Sequence, residues 1–287
     1  MKLQLLTEKI RLALQKRTGS AQTKKCYATW AAKGHLKEPL VSVIIQSHNK
    51  SVQVCHILPK LREFKGGVEI IVIDDGSTPE HTERLAAELT GANEFLVRCN
   101  DLYENITYDK CLRFCNGRYV ALLQDDDDFD GTAWMDRAVQ LFQEHEDMVI
   151  LGGKDGLAIA FEHDRKWAHG GEHETVDGSD FCFVTSVNRA PMWINRELFS
   201  AHLHHMDYAF TPFQFDDYEV CARAWLSGLK VGWYDAKFRS LSVGGMRLYN
   251  GGFIGEQMER NGHRLYELYA SHEEELKRLV KSEKMKK

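Results

Sequence analysis

An α/β fold with a mostly parallel sheet flanked by helices follows from three features of the sequence. Short apolar, β-branched runs recur at Val41–Asn49, Val68–Ile73, Tyr119–Leu123 and Met148–Leu151, the pattern of strands buried on both faces. Segments with apolar residues at helical spacing separate them, which implies βαβ units. Acidic turns, Asp74–Asp75 and Asp125–Asp128, close two of the runs. Ligands of such sheets bind beyond the carboxyl ends of the strands, so both acidic turns are expected along one rim.

Taken in order, the first 38 residues read as a helical extension. Leu3, Leu6, Ile10 and Leu14 share one side of a helix over 3–17, expected to pack on the domain or on a sister chain. The strand at Val41–Asn49 leads into a helix with Val54, Ile57, Leu58 and Leu61 on one side, and Pro59 inside it predicts a kink or a break. After Val68–Ile73, Asp74, Asp75 and Gly76 form a turn. Ser77 or Thr78 caps the next helix, and Pro79 suits its first turn. Phe95–Arg98 predicts a short strand and Tyr108–Cys115 a helix, before Tyr119–Leu123 runs into QDDDDFD. Trp134, Ala138, Leu141 and Phe142 mark a further helix. Beyond Gly152 the pattern loosens, and residues 162–180, rich in Gly, His, Glu and Asp, read as a long loop. Phe181–Val187 reads as a strand and Trp193–Phe199 leads into a helix. FDDYEVCARAWLSGLKVGWY gives a helix, a stop at Gly228 and a strand, and Glu256–Lys287 is helical. The expected organisation is an extension (1–38), a main domain (39–245) and a flexible loop with a C-terminal helix (246–287). Within the main domain, 39–151 is the nucleotide-binding half and 152–245 the acceptor and catalytic half.

Composition removes several classes of function. Lys plus Arg is 37 and Asp plus Glu is 42, a net charge of −5, which argues against a general nucleic-acid binder. The seven cysteines form no CxxC pair, so neither a zinc module nor a disulfide framework is indicated, and reduced thiols in the cytoplasm are expected. The N-terminal MKLQLLTEKIRLALQKR is interrupted by charge every few residues, unlike a signal peptide or a bilayer span. Membrane contact, if made, is peripheral, at the inner face.

Chemistry concentrates in three motifs. QDDDD sets four carboxylates side by side at a strand end, a repulsion that a divalent cation would relieve. Hard cations such as Mg²⁺ take one or two carboxylates together with substrate phosphates. The bland alternative is a solvated acidic turn that caps the next helix. In DDGS, an Asp can accept from a base N–H or a ribose hydroxyl, while Gly76 permits a tight turn. DDYE (Asp216–Glu219) opens an amphipathic helix, where acidic residues also simply complement the helix dipole. Its functional reading is a general base for an acceptor hydroxyl. Among weaker features, HLHH (His202, His204, His205) suits a solvated helix face better than a metal site. GGEHE (Gly170–Glu174) could form a mobile lid, Trp193 could stack on a sugar or fill the core, and the basic tail KRLVKSEKMKK could meet anionic lipid.

VSVIIQSHN, VEIIVIDDGSTPEHT, GRYVALLQDDDDF and DDYEVCARAWLSGLKVGWY, in that order over roughly residues 40–240, resemble a family 2 glycosyltransferase with the Rossmann-like GT-A fold. Tyr27 and Trp30 are similar to what often precedes the first strand. The resemblance implies that Ser47 and Asn49 lie near the nucleotide, that Asp75 binds the base, most often uracil, and that Asp109 stands near the nucleotide. It makes Asp126 the best metal ligand and points Asp125 toward the ribose. In an alternative register, Asp125 and Asp127 take the two acidic places of the metal motif, because its first Asp falls on Gln124 in the other. Mn²⁺ or Mg²⁺ is the implied cofactor. Asp217 aligns with the catalytic base, and Arg247, in a glycine-rich loop, could meet the diphosphate. KFRSLSVGG lacks the metal-holding His of many relatives, and the pair that is often Glu–Asp is Asp216–Asp217.

The implied chemistry is metal-dependent, inverting transfer of a sugar from a nucleotide-sugar, most often UDP-linked, to an acceptor hydroxyl. The acceptor would be a glycan, a lipid-linked molecule or a protein, in glycan or polysaccharide assembly, and the terminal helices could pair chains into a homodimer. A nucleotidyltransferase would need glycines and a basic residue after the first strand, and QSHNKS lacks the glycines. A non-catalytic nucleotide-sugar or glycan-binding module would keep the fold and lose the base.

Overall fold

The computed structural model describes residues 3, 5–14, 25, 32–175, 178–242 and 251–285. Tyr27, Trp30 and Arg247 lie outside the described residues. Two compact units are present: residues 1–37 with Gly91–Asn93, and Glu38–Thr90 with Glu94–Lys287. In the first, residues 5–14 are helical, and Asn93 joins the Gly34 carbonyl to the Leu36 N–H, each at 2.8 Å.

The second unit is built on an eight-stranded sheet, with β5 (Asp127–Asp128) and β13 (Arg239–Ser240) paired apart from it; the sheet's order is β3 (Glu94–Cys99), β2 (Val68–Asp75), β1 (Val41–Ser47), β4 (Tyr119–Gln124), β11 (Met192–Asn195), β6 (Met148–Gly152), β12 (Lys230–Tyr234), β9 (Phe181–Phe183). Its first half comprises β1, β2, β3 and β4, all parallel. Every residue of β1 is buried, as its β-branched run requires. The second half holds β6, β9, β11 and β12. Strands β6 and β12 are parallel, while β11 runs antiparallel to both β4 and β6, and β9 antiparallel to β12. Around the first half pack α1 (Ser51–Arg62), α2 (Pro79–Glu88), α3 (Tyr103–Phe114) and α4 (Ala133–Glu144).

Several expectations are corrected. Helix α1 continues through Pro59 for one more turn. Pro59 is on the exposed side, where water can satisfy the carbonyl its missing N–H leaves free. Residues 162–180 are not one long loop. The chain instead folds as a hairpin of β7 (Gly156–Glu162) and β8 (Trp167–His173), with β10 (Ser186–Val187) on the other side of β7. GGEHE is therefore mostly strand rather than a lid. Phe181–Val187 is divided between two sheets, as β9 and β10. Trp193 is fully buried, with its indole N–H donating to the Tyr234 hydroxyl at 3.0 Å, so it belongs to the core and cannot stack on a sugar. His202, His204 and His205 are all exposed.

The C-terminal residues form α6 (Gly251–Tyr269) and α7 (Glu273–Lys284), separated by a 3-10 turn at Ala270–His272. Helix α6 lies against β8 at Gly262, where an added Cβ would stand 1.8 Å from Trp167 Nε1. Gly262→Ala is expected to destabilise the protein by about 1–3 kcal/mol through overpacking. Urea unfolding with a lower midpoint and unchanged slope is the readout.

Candidate active site

The chain passes from β1 to β2 on one side and returns to β4 on the other, so a topological switch point opens at their carboxyl ends. Two local stitches shape it. Asn49, in the left-handed region at φ +57°, accepts from Thr78 N and donates its own N–H to Ser77 Oγ, each at 2.9 Å. The His48 N–H donates to Asp125 Oδ2 at 2.9 Å, and His48 Nδ1 donates to the Asp75 carbonyl at 2.7 Å. Asp125 is thus fixed against the β1 turn. Ser47 is buried, and its hydroxyl has no hydrogen-bond partner among the described residues.

Asp75 is fully enclosed. Its carboxylate accepts from Leu102 N (2.9 Å), Tyr103 N (2.7 Å) and Gln46 Nε2 (3.1 Å). Burial pushes its pKa up, and the two backbone N–H groups oppose that shift. Asp75 therefore holds the start of α3 against β2. Asp109 faces elsewhere: it binds Arg113 (3.1 Å), the Tyr208 hydroxyl (2.5 Å) and Met206 N (3.0 Å). Burial would raise its pKa, but these partners hold it below the ordinary carboxylate value. Asp109 anchors α3 to the 206–208 segment and does not reach the rim cavity described next.

The acidic tetrad is divided by direction. Gln124 and Asp126 line a cavity of about 430 Å³. The Asp126 carboxylate makes no hydrogen bond or ion pair among the described residues, and its backbone carbonyl accepts from Leu241 N at 2.7 Å. Asp127 turns away, its carboxylate accepting from Gln124 N at 2.9 Å, and burial pushes its pKa up to about 7. It does not line the cavity with Asp126. Asp128 is buried between Lys60 (2.5 Å) and Arg239 (2.6 Å). Burial would raise its pKa, yet the Lys60 ammonium holds it below the usual value. The repulsion expected within QDDDD is thus relieved partly by basic side chains.

The opposite wall comes from α5 (Asp216–Leu226). Its approach is constrained: Gln214 and Phe215 have φ of +79° and +64°, a region that costs non-glycine residues energy. Buried Asn261 of α6 supports this turn, with Nδ2 donating to the carbonyls of Phe210, Phe213 and Gln214 at 2.8–3.0 Å. Asp216 is buried and ion-paired with buried Arg189, and Asn105 Nδ2 donates to it at 3.3 Å. Asp217, the next residue, lines the cavity. Desolvation raises its pKa, the Arg189 guanidinium opposes the shift, and the Asp216 carboxylate adds to it.

One cavity therefore brings together Asp217, Asp126 and Gln124 with Glu104, Lys154 and Arg189, under a second wall of Trp167, His169, Tyr218 and Met258. The Trp167 and His169 rings stack at 4.7 Å. Gly170 makes room for Tyr218, whose hydroxyl would lie 2.3 Å from an added Cβ. Ser47, Asn49, Asp75, Asp109, Asp125 and Asp127 do not line it. Sequence reading missed Arg189, Lys154, Glu104 and Asn261. For Arg189 a signal existed: an Arg within VTSVNRAPMWI, a mostly uncharged run, needs a carboxylate partner if buried, and DDYE supplies one. Among the described residues, no group of three or more His, Cys, Asp or Glu is arranged to hold a metal ion. Of the carboxylates lining the cavity, Asp126 is the one with no hydrogen bond or ion pair among the described residues, and a hard cation takes one or two carboxylates together with phosphate oxygens and water.

No curated protein matches the sequence significantly. Solved structures share the fold. The mannosyltransferase PcManGT from Pyrobaculum calidifontis, in complex with GDP-Man and Mn²⁺, has a TM-score of 0.55 and 14% identity over 88% of this chain and 73% of its own. S. aureus TarS 1-349 in complex with UDP-GlcNAc has a TM-score of 0.50 and 16% identity over 68% of this chain and 56% of its own. GalNAc-T7 with UDP, GalNAc and Mn²⁺ has a TM-score of 0.54 and 14% identity over 69% of this chain and 43% of its own. The family model described as glycosyl transferase family 2 matches residues 42–199, more than half of the 287 residues. With its fold and rim carboxylates, the chain belongs to glycosyl transferase family 2.

Proposed function

We propose that this protein transfers a sugar from a nucleotide-diphosphate sugar, UDP-linked in our reading, to an acceptor hydroxyl with inversion at the anomeric carbon. The observation that carries the proposal is the sharing of one cavity by Asp126 and Asp217 at the carboxyl rim of a family 2 fold. Asp217 takes the proton of the acceptor hydroxyl. The freed oxygen forms a bond to the anomeric carbon, and the bond from that carbon to the phosphate oxygen breaks, releasing the nucleoside diphosphate. Asp126 would hold a Mn²⁺ or Mg²⁺ ion, which when bound neutralises the diphosphate. Two structural neighbours are complexes containing Mn²⁺, which supports this reading. In this reading Ser47, Asn49, Asp75 and Asp125, at the carboxyl ends of β1, β2 and β4 outside the cavity, belong to the nucleotide's side of the site. Arg247 meets the diphosphate. The acceptor is a glycan, lipid-linked molecule or protein, and the work belongs to glycan or polysaccharide assembly in the cytoplasm.

Calorimetry with UDP, GDP, CDP and TDP, each with and without Mn²⁺, tests the reading. One diphosphate is expected to bind only with metal, and Asp126→Asn is expected to weaken that binding at least tenfold. A folded protein that binds none of the four would favour a non-catalytic module. Retained metal-dependent binding in Asp126→Asn would overturn the metal assignment. A second prediction concerns the α5 approach. Asn261→Leu removes the donor shared by three carbonyls, those of Phe210 and Phe213 buried, and is expected to cost about 1–3 kcal/mol of stability, measurable by urea unfolding.

A further inference from the structure

We infer that the N-terminal basic segment docks the enzyme on an anionic membrane surface. The helix at residues 5–14 is exposed along its whole length, with Leu6 at 56% and Ile10 at 55% of full exposure. Leu3, 78% exposed, lies one turn before Leu6. These three side chains fall at i, i+3 and i+7, on one helix face. The other side carries Glu8, Lys9 and Arg11 together with the exposed Leu5 and Leu12, and Glu8 and Arg11 are paired at 3.1 Å.

Charge identifies what covers this face. Residues 1–37 hold nine Lys or Arg and one Glu, whereas the remaining residues hold 28 basic and 41 acidic side chains. Net positive charge is therefore concentrated in the sequence segment that carries the exposed apolar helix. A basic amphipathic helix lies in the plane of a membrane interface, apolar face in the acyl boundary and cations among anionic headgroups. A second copy docked helix to helix is a poor partner, because it would bring one strongly cationic segment against another. Nucleic acid would use the cations and leave the leucines in water. No helix among the described residues is long and apolar enough to cross a membrane, so the contact is peripheral. The proposal concerns where the enzyme works and does not depend on the sugar or nucleotide it uses.

The test is co-sedimentation of the full chain with phosphatidylcholine vesicles and with vesicles containing 30% phosphatidylglycerol. Binding is expected only to the anionic vesicles, falling at least tenfold between 50 and 500 mM NaCl as added salt shortens the reach of exposed charges. Leu6→Glu with Ile10→Glu, and separately Lys9→Glu with Arg11→Glu, are each expected to reduce binding at least tenfold at unchanged melting temperature. No vesicle binding by the full chain overturns the proposal, as does equal binding to neutral vesicles. Undiminished binding in both double variants also overturns it. A shift from dimer to monomer in Leu6→Glu with Ile10→Glu, without vesicle binding by the parent chain, would assign the face to a second copy.

Discussion

Asp217→Asn is expected to lower transfer by about 10²–10⁴-fold, the range of a positioned general base, while leaving nucleoside-diphosphate binding within a few-fold of the parent. Asn keeps the shape and cannot accept the hydroxyl proton. The cavity also makes a pH prediction. As the proposed base, Asp217 must be ionised to act, and desolvation raises its pKa above the ordinary carboxylate value. Activity is therefore lost as pH falls, and the loss begins at a higher pH than an exposed aspartate would give. A kcat profile limited on the acid side by an unshifted carboxylate, or near-normal transfer by Asp217→Asn, would falsify the base assignment.

Arg189→Met carries the largest expected effect on stability. The guanidinium is buried and paired with buried Asp216, and its removal strands a carboxylate in the interior. Breaking such a pair costs about 3–5 kcal/mol, which for a chain of this size lowers the melting temperature by on the order of 10 °C. Arg189→Met combined with Asp216→Asn removes both charges and is expected to recover about half of that loss, because pair removal avoids the uncompensated charge. If the double variant is less stable than Arg189→Met, the ion pair is not the origin of the effect. Arg189 also opposes the raised pKa of Asp217. In whatever fraction of Arg189→Met folds, the acid limb of kcat is expected to move to higher pH.

The first half of the fold was legible because burial wrote itself into composition. Strands β1, β2 and β4 are largely apolar, β-branched runs, and β2 and β4 end where hydrophobicity gives way to acid. The β7–β8 hairpin was not legible. Trp167–His173 is WAHGGEH, whose glycines and polar groups mimic a loop, and its pairing comes from tertiary contact with α6 and Tyr218. Local pattern also could not distribute the tetrad among its directions. Asp126 faces the cavity because Asp125, Asp127 and Asp128 are each drawn to a different partner: His48 N, Gln124 N and Lys60. Asp109 lay, by its position in the family pattern, near the nucleotide; in the structure its carboxylate is paired with Arg113, one turn along the helix.

Strand β11 gives the sheet a single seam. It bonds to β4 on one edge and to β6 on the other, so the parallel half bearing Asp126 is joined within the sheet to the half leading to Asp217 only through four residues, Met192–Asn195. Because β11 runs against its neighbours, its beginning, not its end, arrives at the rim, which is why Arg189 precedes it rather than follows it. The two halves then cannot open independently without tearing that ladder. Amide hydrogen exchange of Trp193 and Ile194 should accordingly proceed only through global unfolding. A sugar held between Asp126 and Asp217 would be gripped by one cooperative body, and any opening for product release would have to come from the loops at its rim.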